Sequence, residues 1–152
     1  MFIVGLFTIS QSIAIGTFSS LFETSSILLA SSHTLAIFST ITLYLFQSNP
    51  TYDLTIFGNT LLSIFTSLIV GIILNIFFNI SIINNIITSC LIILFSFYIM
   101  YDTQLIIGGK HYKKSYNSDD YIIASLSLYQ DVISLFMKIL KFMGKLKEKK
   151  RD

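Results

Sequence analysis

No lysine or arginine occurs from Met1 to Gly109, and the acids of that stretch are Glu23, Asp53 and Asp102. A chain that runs so far with so little charge cannot cover itself with a water-facing surface. Soluble domains carry roughly a quarter charged residues, whereas this chain has 12%, beside 53% hydrophobic residues and one proline. The uncharged stretch also falls into runs of membrane length. A hydrocarbon core of about 30 Å takes about 20 mostly apolar residues per helix. Five segments meet that requirement: residues 2–22, 27–47, 54–78, 82–107 and 121–142. Many of their residues are β-branched or aromatic, which in water favours strands. Run length decides otherwise, because strands are typically about 3–10 residues long and an open sheet edge cannot sit in lipid. The expected fold is all-α, a polytopic transmembrane helix bundle of about five spans over residues 1–144, with a basic tail over residues 145–152.

All ten basic residues lie from Lys110 onward. The net charge of +2 therefore describes a neutral membrane body with a basic end. It is not a nucleic-acid patch, since no aromatic residues interleave the cluster. Cys90 lies within an apolar run as a small hydrophobe, and a single cysteine allows no intrachain disulfide. The N-terminus lacks the basic region and small-residue cleavage site of a signal peptide, so it reads as the start of a retained span.

The connections carry turn and cap chemistry. Ser48 to Asp53 forms a turn that places Asp53 to cap a helix starting at Leu54. Asn79 to Ser81 separates the third and fourth spans. Gly108-Gly109 ends the fourth, and Ser118-Asp119-Asp120 opens the fifth. Asn79-Ile80-Ser81 has the form of a glycosylation sequon, but it lies too close to two spans to expect modification.

The fifth span is the polar one. Ser127, Asp131, Ser134, Lys138 and Lys141 recur at steps of four, three, four and three, which puts them along one helix face. An aspartate within a span is costly; it faces a partner or a water-filled cavity and marks a functional site. A second intramembrane acid, Asp102, lies near the end of the fourth span. The short loop between these spans makes them antiparallel neighbours. At 1.5 Å per residue, Asp102 lies about 8 Å in from Ile107 and Asp131 about 16 Å in from Asp120. Both sit in the half of the membrane next to the loop, and a further turn on the fourth helix would bring their depths level. Two carboxylates in contact at low dielectric do not both ionise cheaply, so the pair is expected to titrate as a unit and share a proton. Loss of that proton adds repulsion or draws in a cation, and the oxygens suit a hard ion such as Ca²⁺.

The other polar residues take blander roles. Glu23 and Asp53 lie at span ends, where capping is expected. His33 sits near the interface without a second His or Cys at metal-site spacing, so no fixed metal and no cofactor are expected. Lys138 reads as a snorkelling residue near a helix end, with a reach toward Asp131 as the alternative. Glu23, Ser127, Ser134 and Lys138 are the accessory candidates around the Asp102–Asp131 pair. An intramembrane aspartyl protease also needs two aspartates on neighbouring spans. Here, however, Asp131 follows Leu128-Tyr129-Gln130 and not the Gly-x-Gly of that class, so no enzymatic activity is expected.

The stretch Tyr101-Asp102-Thr103-Gln104-Leu105-Ile106-Ile107-Gly108-Gly109-Lys110-His111, then Ser118-Asp119-Asp120-Tyr121-Ile122 and Leu128-Tyr129-Gln130-Asp131, resembles the last two spans of the Bax-inhibitor/Lifeguard family. Leu6-Phe7-Thr8, Gly16-Thr17, Phe22-Glu23-Thr24 and Phe46-Gln47 through Tyr52-Asp53-Leu54-Thr55 are similar to that family's middle spans. The Gly-Gly-Lys-His ending is similar to the Lifeguard branch. The resemblance implies a helical membrane protein with a central final span. It also implies a pH-sensitive Ca²⁺ leak of intracellular membranes, linked to calcium homeostasis and suppression of cell death. The proton-sensing aspartates of the family fall on Asp102 and Asp131. Two features depart from the family pattern. Its members have about seven spans and this sequence is expected to begin at the third, without the basic residue that partners the aspartate pair. Lys138 stands where the family is apolar.

The expected surroundings are the lipid bilayer, Ca²⁺ as permeant ion and other membrane proteins. A non-conducting protein that binds membrane partners through its bundle is the alternative function. Lys149-Lys150-Arg151-Asp152 has the form of a dilysine retrieval signal, which points to the endoplasmic reticulum or Golgi. Basic residues flank the fifth span on both sides, Lys110 to Lys114 before it and Lys145 to Arg151 after it. Both flanks can be cytoplasmic only if that span is re-entrant.

Overall fold

The computed structural model describes residues 2–47, 53–78, 80–108 and 120–144. Its helices are α1 (Phe2–Ser19), α2 (Thr24–Gln47), a 3-10 turn (Leu54–Phe57) leading into α3 (Gly58–Phe78), α4 (Ser81–Ile107) and α5 (Tyr121–Met143). Four segments are long and apolar enough to cross a membrane: Thr24–Phe46, Leu54–Phe78, Ser81–Ile107 and Tyr121–Met143. The apolar stretch of α1, Val4–Ser19, is shorter. The expected turn at Ser48 to Tyr52, the sequon's Asn79, the loop lysines and the basic tail lie outside the described residues.

The first span ends earlier than expected, at Ser19 instead of Phe22. Its last turn tightens to three-residue bonds, Leu21 N–H to the Phe18 carbonyl (3.2 Å) and Phe22 N–H to that of Ser19 (3.0 Å). Apolarity alone hid this bend, because Phe22 is needed in the core and not in lipid. The Glu23 carbonyl then accepts from the N–H groups of Ser26 (3.0 Å) and Ile27 (3.1 Å), so α2 starts ahead of the apolar run at Ile27.

Asp53 caps as expected. Its Oδ1 accepts from the Thr55 backbone N–H at 2.9 Å and from the Thr55 hydroxyl at 2.5 Å. Asp53→Ala is expected to cost about 1 kcal/mol, read as a lowered unfolding midpoint of the detergent-solubilised chain. α4 ends at Gly108, whose φ of 62° is a conformation open chiefly to glycine. Its N–H closes on the Gln104 carbonyl at 3.1 Å.

α5 packs along α4 and α2, and α3 packs on α4, while α1 is the least embedded helix. One core cluster joins Phe22, Ala30, Ile99, Leu135, Ile139 and Leu140. Leu61 packs with Ile87, Leu91 and Leu94 in the second, between α3 and α4. The outer faces are apolar as well, with Ile76 73% and Phe77 79% exposed. A soluble monomer does not present such a contiguous surface, whereas lipid tails cover it at no cost. Association in lipid then rests on van der Waals packing and interhelical hydrogen bonds. Many hydroxyls along the spans are satisfied locally: Thr34 donates to the Ala30 carbonyl at 2.8 Å, and Thr103 to that of Ile99 at 2.6 Å.

α5 is one unbroken helix of 23 residues, unlike the interrupted form of a re-entrant segment. Just past it, Gly144 lies against the Phe22 ring. A Cβ there would meet Phe22 Cδ1 at 2.5 Å as well as the Leu140 carbonyl. Gly144→Ala should therefore push Phe22 out of the core and cost about 1–3 kcal/mol, measurable as a lower thermal midpoint in detergent.

Candidate proton-sensing site

Antiparallel pairing of α4 and α5 sets the site. Asp102 is 4% exposed and lies one turn after the half-exposed Tyr98. The Ser127 hydroxyl donates to Asp102 Oδ2. The Asp131 carboxyl, one turn further along α5, is within hydrogen-bonding reach of Asp102. Asp131 Oδ2 is buried without a hydrogen-bond partner among the described residues. Two acids and a hydroxyl thus meet inside the bundle, in the half of the layer next to the α4–α5 connection.

The fourth helix does not take the further turn that would level the two depths. α4 stops at Ile107, so Asp102 does not draw level with Asp131. It lies opposite the interval between Ser127 and Asp131, and takes a bond from the first while facing the second.

Of the accessory candidates, only Ser127 joins the pair. Ser134 and Lys138 line a different cleft, together with Gln11 and Gln130. Lys138 is two turns beyond Asp131, about 10 Å along the axis, and its charged neighbour is Lys141. The expected stripe divides along the axis and not around it: at about 100° per residue Lys138 falls between Ser127 and Asp131 in angle, so its distance along the helix takes it out of reach of the pair. Residues 130, 134 and 138 form a row at steps of four. Glu23 belongs to the α1–α2 turn, where its Oε2 accepts from the Ser25 hydroxyl at 3.5 Å. It lies at the opposite end of the bundle from the pair, with Phe22 and Gly144. His33 Nδ1 pairs with the Leu29 carbonyl at 2.8 Å, a local bond.

The surroundings of the pair include residues that the sequence reading passed over. The Tyr98 phenol is close enough to feel the charge of both aspartates. Fully buried Gln104 accepts from the Leu54 N–H through Oε1 at 2.8 Å, tying the start of α3 to the end of α4. Gln11 donates to Gln130 Oε1 at 2.5 Å and joins α1 to α5. An intramembrane glutamine needs an interhelical partner much as an acid does, and that signal could have found all three amides. A cleft of about 290 Å³ between α1 and α5 is lined by Phe7, Ser127, Gln130 and Asp131 among others.

Comparison with known proteins agrees with this architecture. The family described as inhibitor of apoptosis-promoting Bax1 matches residues 1–148. The chain belongs to this family. Among its relatives, protein LIFEGUARD 4 of Arabidopsis thaliana is 34% identical over 140 residues, which cover 91% of this chain and 54% of that protein. Protein lifeguard 4 of Mus musculus is 30% identical over 149 residues, 98% of this chain and 59% of that protein. Protein lifeguard 3 of Homo sapiens is 28% identical over 144 residues, 91% of this chain and 45% of that protein. The chain spans about half the length of these curated relatives. Family membership and four membrane-length apolar helices together make it an integral, multi-pass membrane protein.

Proposed function

We propose that this chain forms a proton-gated cation leak, with Ca²⁺ as the favoured ion and the Asp102–Asp131 pair as the gate. One observation carries the reading: two carboxyls face each other between adjacent spans, and one oxygen of Asp131 is left without a partner among the described residues. A carboxyl pair in low dielectric holds a single shared proton at far less cost than two full charges. While the proton is shared, α4 and α5 are held together through Asp102, Ser127 and Asp131. Its release leaves two like charges, which drive the helices apart and attract a cation from the cleft beside Asp131. Ca²⁺ takes six to eight oxygens, more than two carboxylates and a hydroxyl provide, so the ion keeps part of its water and passes through. Such a site leaks and does not store.

The family description and the Lifeguard names of its relatives support a role in restraining cell death. A controlled leak from the endoplasmic reticulum or Golgi, lowering the releasable Ca²⁺ of that store, would connect the site to the role. Ca²⁺ efflux from proteoliposomes holding this chain, followed from about pH 5.5 to 8, tests the reading. A leak that rises as protons are released supports it, and no leak at any pH withdraws it.

A second reading rests on α1. That helix is lightly packed and exposes Leu6, Ile9 and Ile13, a face suited to another membrane protein. A stoichiometric partner that co-purifies through α1, with no ion flux, would favour a non-conducting interaction role.

A further inference from the structure

The bundle holds a second cleft, of about 320 Å³, between α1, α3, α4 and α5, away from the Asp102–Asp131 pair. Its size falls at the lower end of the range for small-molecule sites. One wall is rigid and aromatic. Phe65 of α3 meets Phe95 of α4 edge to face, with ring centroids 6.0 Å apart, and Ile69 and Leu91 extend that wall. The inner end is closed by Gln11 and Gln130, where the Gln11 amide donates to Gln130 Oε1 at 2.5 Å. The other wall is the α5 row that ends in Lys138.

Lys138 is the cation of this cleft, and no carboxylate is among the described residues that line it. It stands five residues short of the end of α5 at Met143, about 7.5 Å along the axis, within snorkelling reach of the headgroup layer. Lys141, one turn on, carries a second ammonium at the same end, and it donates to Asn84 Oδ1 of α4 at 3.2 Å. The site therefore has a polar, doubly positive mouth at the interface and an apolar slot running inward. All four bounding helices are apolar, so a molecule enters the slot from the bilayer. An anion on an acyl chain complements both the charge and the apolar wall.

We propose that this cleft binds an anionic phospholipid, with its phosphate between Lys138 and Lys141 and one acyl chain laid along Phe65 and Phe95 toward Gln130. The lipid offsets a charge that no carboxylate among the described lining residues compensates, and it fixes α3 against α5. This site is separate from the carboxyl gate, and the proposal stands whether or not the chain conducts ions.

The experiment uses the full chain in mixed micelles of phosphatidylcholine and phosphatidylglycerol, with retained lipid counted by native mass spectrometry. Phosphatidylglycerol carrying a photoreactive group on its acyl chain then reports where the chain lies. The intact protein is expected to retain phosphatidylglycerol in preference to phosphatidylcholine and to cross-link within the Phe65–Ile69 or Leu91–Phe95 segments. Lys138→Met should lower that preference about fivefold, and Lys138→Arg should keep it. Equal retention of the two lipids by the unaltered protein overturns the proposal, as do undiminished preference in Lys138→Met and cross-links confined to outer faces. Displacement of the lipid by uncharged diacylglycerol at equal concentration would also overturn it, since the phosphate would then contribute nothing.

Discussion

Asp102→Asn is expected to leave the bundle folded and to flatten the pH dependence of Ca²⁺ efflux from vesicles holding this chain. The substitution keeps the shape of the side chain and an oxygen to accept the Ser127 hydroxyl, the bond that joins α4 and α5 at this point. It removes one of the two titrating groups. Without a second negative charge to appear, deprotonation of Asp131 no longer creates repulsion between the helices. The intact pair should change its efflux by up to about tenfold per pH unit over its titrating range, the limit for a single proton, and the variant should show almost none of that slope. Ser127→Ala is the informative companion. It removes the hydroxyl from Asp102 while keeping both acids, so it should shift the pH at which efflux rises without abolishing the rise. An Asp102→Asn profile with undiminished slope would place the sensor elsewhere in the chain.

Gln104→Leu is expected to lower stability as much as Gly144→Ala and to act beside the site as well. Gln104 is fully buried, and its Oε1 accepts from the Leu54 N–H at 2.8 Å. Leucine fills much the same volume but leaves that donor without this acceptor, where a buried unsatisfied group costs about 1–3 kcal/mol. The 3-10 turn at Leu54–Phe57 should loosen, and with it the entry to α3. The expected readout is a lower unfolding midpoint in detergent, together with faster amide exchange at Leu54 and Thr55. Because Gln104 lies two residues from Asp102, the variant should also disturb the gate, whereas Asp53→Ala should weaken the same turn and leave the pH profile in place. Unchanged exchange at Leu54 would mean that its N–H bonds elsewhere.

Much of the architecture was legible from run length alone. The expected spans over residues 54–78, 82–107 and 121–142 match the observed helices to within a residue at each end, because a lipid-facing helix must be apolar along its whole length and its ends are marked by caps. Phe22 shows where that signal stops. It is as apolar as the residues before it, yet it turns inward, and only the packing of α1, α2 and Gly144 decides so. The meeting of Asp102 and Asp131 was legible from a short loop and two depths. What shared helical spacing could not resolve was how far apart along α5 its polar residues act. Ser134 and Lys138 lie on the broad face of α5 that carries the aspartate, but further along the helix, where they line a cleft shared with α1 and α3. Gln104, Gln130 and Gln11 carry no charge to mark them, although an amide in lipid needs its partner as well.

The single shared proton is the core of this account, and infrared difference spectroscopy on the reconstituted chain reads it without inference from flux. The carbonyl stretch of a protonated carboxyl would be followed from about pH 5.5 to 8 while Ca²⁺ efflux is recorded from the same vesicles. The account predicts one protonated carboxyl per bundle, lost over the interval in which efflux rises, and absent from the Asp102→Asn, Asp131→Asn double variant. Release of that proton out of step with efflux, or a band that survives in the double variant, would contradict it.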